Sequence, residues 1–184
     1  MVLIVLLPKT DVGFRPIGLF PTIIRVCMRA RILVAKEWET STANPAIYGG
    51  PGKGAQAAVY QTALIAEAAN LDDDALAASM LDLVKAFETV PHDVLVSAAH
   101  AKGYPLSLLR LCLAAYRLSR TVGVDGVFSR KIKATRGITA GAGFAALECR
   151  LLLFDVIENL QVRWSPHLVI NLYVDDLTQD GHHS

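Results

Sequence analysis

Two adjacent carboxylates near the C-terminus, Asp175 and Asp176, are the residues of this sequence whose types and spacing best suit chemistry. They follow the apolar run His167–Val174, which is short, rich in β-branched and aromatic residues, and therefore predicts a buried strand. Carboxylates at the end of such a strand are costly to bury alone, and a bound Mg²⁺ or Mn²⁺ would offset that cost. The alternative is a simple turn, because Asp also hydrogen-bonds its own backbone there.

A second apolar run contains a single carboxylate. Residues 75–84 predict a strand, and Asp82 interrupts its apolar pattern. Asp82 and Asp175 lie far apart in the sequence, so only the fold can bring them together. If their strands are neighbours, three carboxylates converge and can hold two cations about 4 Å apart. Such a pair of cations serves in-line phosphoryl or nucleotidyl transfer.

The elements that would position these carboxylates follow from hydrophobic pattern and turn residues. Strands at 2–7 and 14–19 predict a hairpin, and an Asp-Gly pair within 122–128 predicts another. Helices are predicted at about 21–38, 55–70, 91–102, 105–119 and 144–160. Because hairpins are mixed with helices, we expect an α+β fold in which helices pack on one face of an antiparallel sheet.

Three further features allow more than one interpretation. The helix at 21–38 carries cations that either face solvent or contact phosphate, namely Arg25, Arg29, Arg31 and Lys36. The Gly-rich segment Arg136–Gly143 either leads into a helix or lets the backbone approach a flat or charged ligand. The loop Gly49–Gly54 lacks the spacing of a P-loop and a preceding strand, so a loop beneath a nucleic-acid strand is favoured.

Composition restricts the class of protein. With 184 residues, 53% of them hydrophobic and 19% charged, the chain can form one domain with a core, or one domain and part of another. The net charge of +1 neither favours nor excludes nucleic acid. Scattered cysteines indicate free thiols in a reducing, intracellular compartment rather than a zinc site. Residues 1–7 are apolar but too few to cross a membrane, and we expect no membrane partner.

Taken together, the colinear motifs resemble the reverse transcriptase domain of non-LTR retrotransposons and group II introns. Asp82–Phe87 matches the first catalytic block of that family, and Tyr173–Asp176 matches the second. The segment Tyr48–Gln56 is similar to the family's connection between fingers and palm. The resemblance implies a right-hand polymerase fold, with residues 1–74 forming a fingers-like region and residues 75–184 forming the palm.

The resemblance also implies roles for individual residues. Asp82, Asp175 and Asp176 would be catalytic and would bind two Mg²⁺ or Mn²⁺ ions, with the carbonyl of Leu83 as a further metal ligand. The substrate would be bound by a basic pair on the fingers hairpin, Lys9 and Arg15, and by an aromatic gate, Phe87. Further substrate contacts would come from Gly141 of the Gly-rich segment and Tyr173 of the second block. The implied partners are an RNA template, a DNA primer and a dNTP. The Tyr-Val-Asp-Asp form favours synthesis of DNA over synthesis of RNA.

Three departures from the family pattern bear on activity. The family usually has Pro and Gln before the long helix, and Ala140 lacks the nucleotide contact of that Gln, which is worth about 0.5–1.5 kcal/mol. Glu88 stands where non-LTR members often have Asp. The sequence ends at Ser184 without a thumb, so we expect a fragment or truncated product with a weak grip on a duplex. The alternatives are an inactive or repurposed domain that binds RNA or a protein partner, and an RNA-directed RNA polymerase.

Overall fold

The computed structural model describes residues 1–10, 12–50, 52–165 and 167–182, so parts of the predicted loops at 9–13 and 49–54 lie outside the described residues. The strands are β1 Val2–Pro8, β2 Phe14–Leu19, β3 Leu76–Asp82, β4 Arg120–Val124, β5 Val127–Phe128, β6 Leu168–Tyr173 and β7 Asp176–His182. The helices are α1 Thr22–Ala30, α2 Ile32–Ser41, α3 Ala55–Leu71, α4 His92–Ala101, α5 Leu106–Tyr116 and α6 Ala145–Trp164. This mixture confirms the predicted α+β class. Within the described residues, none of the helices is long and apolar enough to cross a membrane.

Contacts between these elements divide the chain into two compact units. Unit 1 comprises residues 1–41 and 85–151, and unit 2 comprises residues 42–84 and 152–184. Each unit contains one sheet. The predicted boundary between fingers and palm at residue 74 divides the chain by function and not by contacts, and it stays a prediction.

The sheet of unit 1 has the strand order β2-β1-β4-β5. β1 and β2 form the predicted antiparallel hairpin, whereas β1 pairs with β4 in parallel. In the β4–β5 turn, Asp125 and Gly126 have φ values of 48° and 81°, the left-handed backbone that a type I′ turn requires. This confirms the hairpin predicted from the Asp-Gly pair.

The basic helix near the N-terminus differs from the prediction. The sequence pattern predicts one helix over 21–38, but the chain forms α1 and α2 with a break at Arg31. Met28 is buried in α1, and Ala35 and Trp38 are buried in α2, whereas Ile23 of α1 is 66% exposed. Arg31 has a non-helical ψ of 7°, and its N–H donates to Met28 O at 3.1 Å, which ends α1 at this residue.

Helices α4 and α5 supply much of the core of unit 1. Pro91 and Pro105 precede them, as expected from the preference of Pro for helix starts. Their buried apolar side chains include Leu95, Leu108, Leu109 and Cys112. Val94 is instead 50% exposed, because its neighbour Leu95 takes the inward-facing position. All three cysteines are free thiols, as predicted.

The sheet of unit 2 is antiparallel, with the strand order β3-β7-β6. β6 packs against the C-terminal part of α6 and against residues that precede α3, in a core of Ala46, Ile47, Phe154, Ile157, Ile170 and Leu172. On α3, Thr62 Oγ1 accepts a hydrogen bond from Asn171 Nδ2 of β6 at 3.2 Å. These contacts fix the strand that leads into the carboxylate pair.

Strand β3, which carries Asp82, is an edge strand. The predicted strand is confirmed, but Met80 is 84% exposed and Leu81 is 47% exposed. The strand pairs with β7 on one side only. Pairing with β7, rather than burial of its apolar side chains, therefore holds Asp82 in place.

Candidate active site

Strand pairing brings two of the predicted catalytic carboxylates to one end of the sheet in unit 2. Asp82, the last residue of β3, lies opposite Asp176, the first residue of β7. Asp176 also lies opposite Tyr173, the last residue of β6. Directly opposed residues of antiparallel strands share a face, with Cβ atoms about 4.5–5.5 Å apart. Two carboxylates and a phenol therefore form a row across three strands.

The turn between β6 and β7 is tight, and its backbone is strained. Only Val174 and Asp175 connect Tyr173 to Asp176, and Val174 has a φ of 60°. A β-branched residue in the left-handed region is an outlier that costs on the order of 1–3 kcal/mol. Such strain is concentrated at functional sites, and here it directly precedes the carboxylate pair.

Backbone hydrogen bonds support the strand that leads into this turn. The N–H of Tyr48 donates to Leu172 O at 2.8 Å, and the N–H of Leu172 donates to Ala46 O at 2.7 Å. A Cβ added at Gly49 would lie 3.4 Å from Val174 N, so a side chain there would press on the turn. The segment that resembles the family's connection between fingers and palm thus positions the turn.

The oxygen donors at this end of the sheet suit a divalent cation. Asp82 and Asp176 are exposed, while Asp175 is half-buried in the turn. Mg²⁺ commonly binds through one or two carboxylates and fills its remaining positions with water and substrate phosphate. Among the described residues, no three His, Cys, Asp or Glu side chains are arranged to hold a metal ion. Of the three carboxylates expected to converge, strand pairing places Asp82 and Asp176 opposite each other, and the metal-binding roles of Asp82, Leu83, Asp175 and Asp176 stay predictions.

The two cations predicted to bind triphosphate lie on the β1–β2 hairpin of unit 1. Arg15 is on β2 opposite Leu7, and the N–H of Lys9 donates to Gly13 O across the turn at 3.0 Å. Both side chains are exposed, and neither forms a salt bridge with a described residue. They are available to an anionic ligand, and their role stays a prediction.

One end of the Gly-rich segment packs on the loop that carries the predicted aromatic gate. The N–H of Ile138 donates to Phe87 O, and the N–H of Gly137 donates to Val90 O, both at 2.7 Å. Gly137 has a φ of 93°, and a Cβ there would lie 2.6 Å from Glu88 O. Glycine is required for this contact. Phe87 is half-buried, and its predicted role is not tested by this packing.

The other end of the Gly-rich segment packs on β2. The N–H of Gly18 donates to Ala140 O at 2.7 Å. Gly141 has a φ of 100°, and a Cβ there would lie 2.5 Å from Gly18 O. The glycine at 141 therefore has a packing role, and the substrate-binding role predicted for it stays a prediction.

A buried polar cluster in unit 1 was not indicated by the sequence. Glu148 of α6 is fully buried, and its Oε2 accepts a hydrogen bond from Tyr116 Oη at 2.6 Å. Burial raises the pKa of Glu148 to about 7, against the opposing effect of hydrogen bonds from Tyr116 and Cys112. The signal that could have revealed it is spacing, since Glu148 lies three residues from Ala145 and from Leu151, which are both buried.

Comparisons with known proteins identify the family of this chain and proteins of similar fold. The family model described as "Reverse transcriptase (RNA-dependent DNA polymerase)" matches residues 7–179. No curated protein sequence gives a significant match.

Among solved structures, the chain is similar to yeast telomerases. Apo telomerase from Candida tropicalis, truncated from its C-terminal domain, gives a TM-score of 0.64 at 11% identity, over 98% of this chain and 43% of the telomerase chain. Telomerase from Candida albicans with the TWJ fragment of telomeric RNA gives 0.62 at 12% identity, over 98% and 38%. The corresponding Candida tropicalis complex gives 0.65 at 11% identity, over 99% and 36%.

At these identities the likeness to telomerase concerns the fold alone, and this chain spans less than half the length of those proteins. The family match is stronger evidence, because it covers most of the chain and includes Asp82, Asp175 and Asp176. The protein belongs to the reverse transcriptase family, a family of nucleotidyltransferases.

Proposed function

We propose that this chain is the fingers-and-palm part of an RNA-directed DNA polymerase. The observation that carries the proposal is the opposition of Asp82 and Asp176 at the ends of paired strands, beside a strained turn that contains Asp175. Membership of the reverse transcriptase family supports the same class of reaction. The proposed partners are an RNA template, a DNA primer and a dNTP.

In this reaction a primer 3′-OH attacks the α-phosphate of the dNTP, the bond from that phosphorus to the bridging oxygen breaks, and pyrophosphate leaves. Asp82, Asp175 and Asp176 would hold Mg²⁺ or Mn²⁺, which stabilises charge on the attacking and leaving oxygens. The substrate would be positioned by exposed cations, by aromatic side chains and by backbone, from Lys9, Arg15, Phe87, Gly141 and Tyr173. In these roles the cations neutralise the triphosphate and Phe87 packs under the sugar.

We also propose an origin among elements of the non-LTR retrotransposon or group II intron type. The basic pair Lys9 and Arg15 on the fingers hairpin and the Tyr-Val-Asp-Asp block support it. An RNA partner is supported by the Candida albicans telomerase, whose structure contains a fragment of telomeric RNA.

The second candidate function is binding of RNA without polymerisation. Ala140 favours it, because this residue stands at the position of the family's nucleotide-contacting Gln. The carbonyl oxygen of Ala140 accepts a hydrogen bond from the N–H of Gly18. A weaker candidate is RNA synthesis, which a comparison of rNTP with dNTP incorporation would reveal.

Primer extension on poly(rA)/oligo(dT) with Mg²⁺ tests the proposal. We expect the wild-type chain to extend the primer and Asp175→Ala/Asp176→Ala to fail. Glu67→Ala/Asp72→Ala is the matched control, since it removes two other exposed carboxylates of unit 2. Absence of extension by the wild-type chain, with RNA still retained, would favour the second candidate function.

A further inference from the structure

A buried histidine lies shortly after the predicted aromatic gate, at the start of α4. His92 is 7% exposed, and its Nε2 is 3.1 Å from Gly137 O. Because a carbonyl oxygen only accepts hydrogen bonds, Nε2 carries the proton and donates it. His92 thereby joins the gate loop, which we define as residues 87–92, to the Gly-rich segment.

Most of the gate loop belongs to no regular element. Residues 84–89 form turns rather than a helix or a strand. Lys85, just before the gate loop, has a φ of 53°, in the left-handed region that residues other than glycine rarely adopt. Phe87 is only half-buried. The position of its ring therefore depends on hydrogen bonds to the loop backbone as well as on packing of the side chain.

Three hydrogen bonds clamp the gate loop onto the Gly-rich segment. The N–H of Ile138 donates to Phe87 O at 2.7 Å, and the N–H of Gly137 donates to Val90 O at the same distance. The third bond runs from His92 to the carbonyl oxygen of Gly137. Both backbone polar groups of Gly137 are thus bonded to the gate loop, and His92 supplies the side-chain bond of the three.

The imidazole that makes this bond is itself held in place. Its ring packs beside the ring of Tyr116, with centroids 6.3 Å apart and planes inclined by 33°. Tyr116 is fully buried and donates its hydroxyl hydrogen to Glu148 Oε2 at 2.6 Å. Gly137 is also buried, so removal of the imidazole would deprive a buried carbonyl oxygen of this donor. The clamp is therefore rigid at the side of His92.

We propose that His92 is a positioning residue that sets the discrimination between dNTP and rNTP by fixing the backbone of Phe87. The inference rests on the proposed function, in which Phe87 packs under the sugar. An aromatic ring rejects a 2′-OH only while the ring cannot retreat from it, and small displacements of positioned groups have large effects on rate. His92 holds Gly137, and the adjacent Ile138 holds the backbone of Phe87.

Single-nucleotide incorporation of dTTP and of UTP on poly(rA)/oligo(dT) with Mg²⁺ tests this role. We expect His92→Leu to lower the ratio of kcat/KM for dTTP to that for UTP by about 10-fold, because the loosened gate loop lets the ring yield to a 2′-OH. His92→Gln should stay within about twofold of the wild type, because its amide N–H can donate to Gly137 O whereas Leu cannot. His100→Leu, at an exposed histidine of the same helix, is the matched control and should keep the ratio.

A merely structural role of His92 would give a different result. General loss of folded protein would lower incorporation of dTTP and UTP by the same factor and leave their ratio unchanged. An unchanged ratio in His92→Leu would therefore overturn the inference. Equal loss of discrimination in His92→Leu and His92→Gln would overturn it as well, because the hydrogen bond would then have no part in the effect.

Amide hydrogen exchange of the full chain measures the clamp apart from catalysis. In His92→Leu, we expect the amides of Gly137 and Ile138 to exchange about 10-fold faster than in the wild type, since local opening of the gate loop becomes easier. The amide of Leu172, which donates to Ala46 O in unit 2, should keep its rate. Unchanged exchange at Gly137 and Ile138 would overturn the inference even where primers are extended. If the wild-type chain extends no primer, the proposed function fails and the assigned discrimination fails with it, whereas faster exchange would still demonstrate the clamp.

Discussion

The two tight hairpins of this protein solve the same geometric problem with different residues. The β4–β5 turn uses Asp125 and Gly126, residue types that adopt left-handed backbone at low cost. The β6–β7 turn uses Val174 and Asp175, and the β-branched Val174 has a φ of 60°. Both turns have two residues between paired strand ends.

The β4–β5 turn has residues that favour its backbone conformation and so help folding. The β6–β7 turn presents chemical groups instead. In the first hairpin, local preference and structure agree, which is what a stable fold requires. In the second, the preference of Val for extended backbone is overridden, and the turn carries one carboxylate and begins the strand with another. Sites where local rules fail are expected to be functional or strained.

The largest expected effect is on catalysis. Asp82→Asn/Asp176→Asn should lower the rate of primer extension by about 1,000-fold, because two of the proposed cation ligands are lost. Asp125→Asn is the matched change in the other turn and should leave the rate unchanged, since Asn suits a type I′ turn. Single-turnover extension assays measure both, and equal loss in the two turns would contradict the assigned difference.

A second effect concerns the buried carboxyl of Glu148 in unit 1, which belongs to neither turn. The folded protein holds this carboxyl at a pKa of about 7, above the ordinary 4.5, so the folded state binds the extra proton between these values. The contribution of Glu148 to stability is therefore most favourable below about pH 4.5 and falls by about 3 kcal/mol as the pH rises to about 7.

Urea unfolding of the wild type and of Glu148→Gln at several pH values measures this contribution. The variant should lose the fall in stability between pH 4.5 and 7 that the raised pKa produces in the wild type. Parallel pH profiles for the two proteins would show that Glu148 does not titrate in this way.

A third effect tests glycine where backbone approaches backbone. Gly137→Ala should destabilise the protein by about 2 kcal/mol, because the added Cβ meets Glu88 O and the backbone is left-handed. Gly13→Ala is the control, since its φ is also positive but nothing lies within 4 Å of the added Cβ. A lower urea midpoint for Gly137→Ala than for Gly13→Ala would measure the effect of the contact with Glu88 O. Equal midpoints for the two variants would show that this contact does not affect stability.

The smallest effect compares the two turns directly. Val174→Gly should be more stable than Val174→Ala by about 1 kcal/mol, because only Gly relieves the left-handed strain once the side chain is gone. In the relaxed turn, Gly126→Ala should be less stable than the wild type by about the same amount. If Val174→Ala proves more stable than Val174→Gly, the backbone at residue 174 is not strained.

What the sequence predicts well is local. The Asp-Gly pair marked one hairpin, and Pro91 and Pro105 marked the starts of two helices, because each preference acts within a few residues. The two catalytic blocks were recognisable because their residue types are specific.

What the sequence could not supply depends on neighbours distant in the chain. The opposition of Asp82 and Asp176 depends on the order β3-β7-β6, which no local pattern encodes. The buried Glu148 accepts a hydrogen bond from Tyr116 of another helix, and its residue type predicts the surface although its spacing matches the buried positions of α6.

The most direct test of the central claim is Mn²⁺ binding to the full chain in the presence of a dNTP, followed by electron paramagnetic resonance. If the opposed carboxylates form the cation site, Asp82→Asn/Asp176→Asn should weaken Mn²⁺ binding by about 10-fold or more. Glu67→Gln/Asp72→Asn should bind like the wild type. Equal Mn²⁺ affinity in the wild type and in Asp82→Asn/Asp176→Asn would contradict the account.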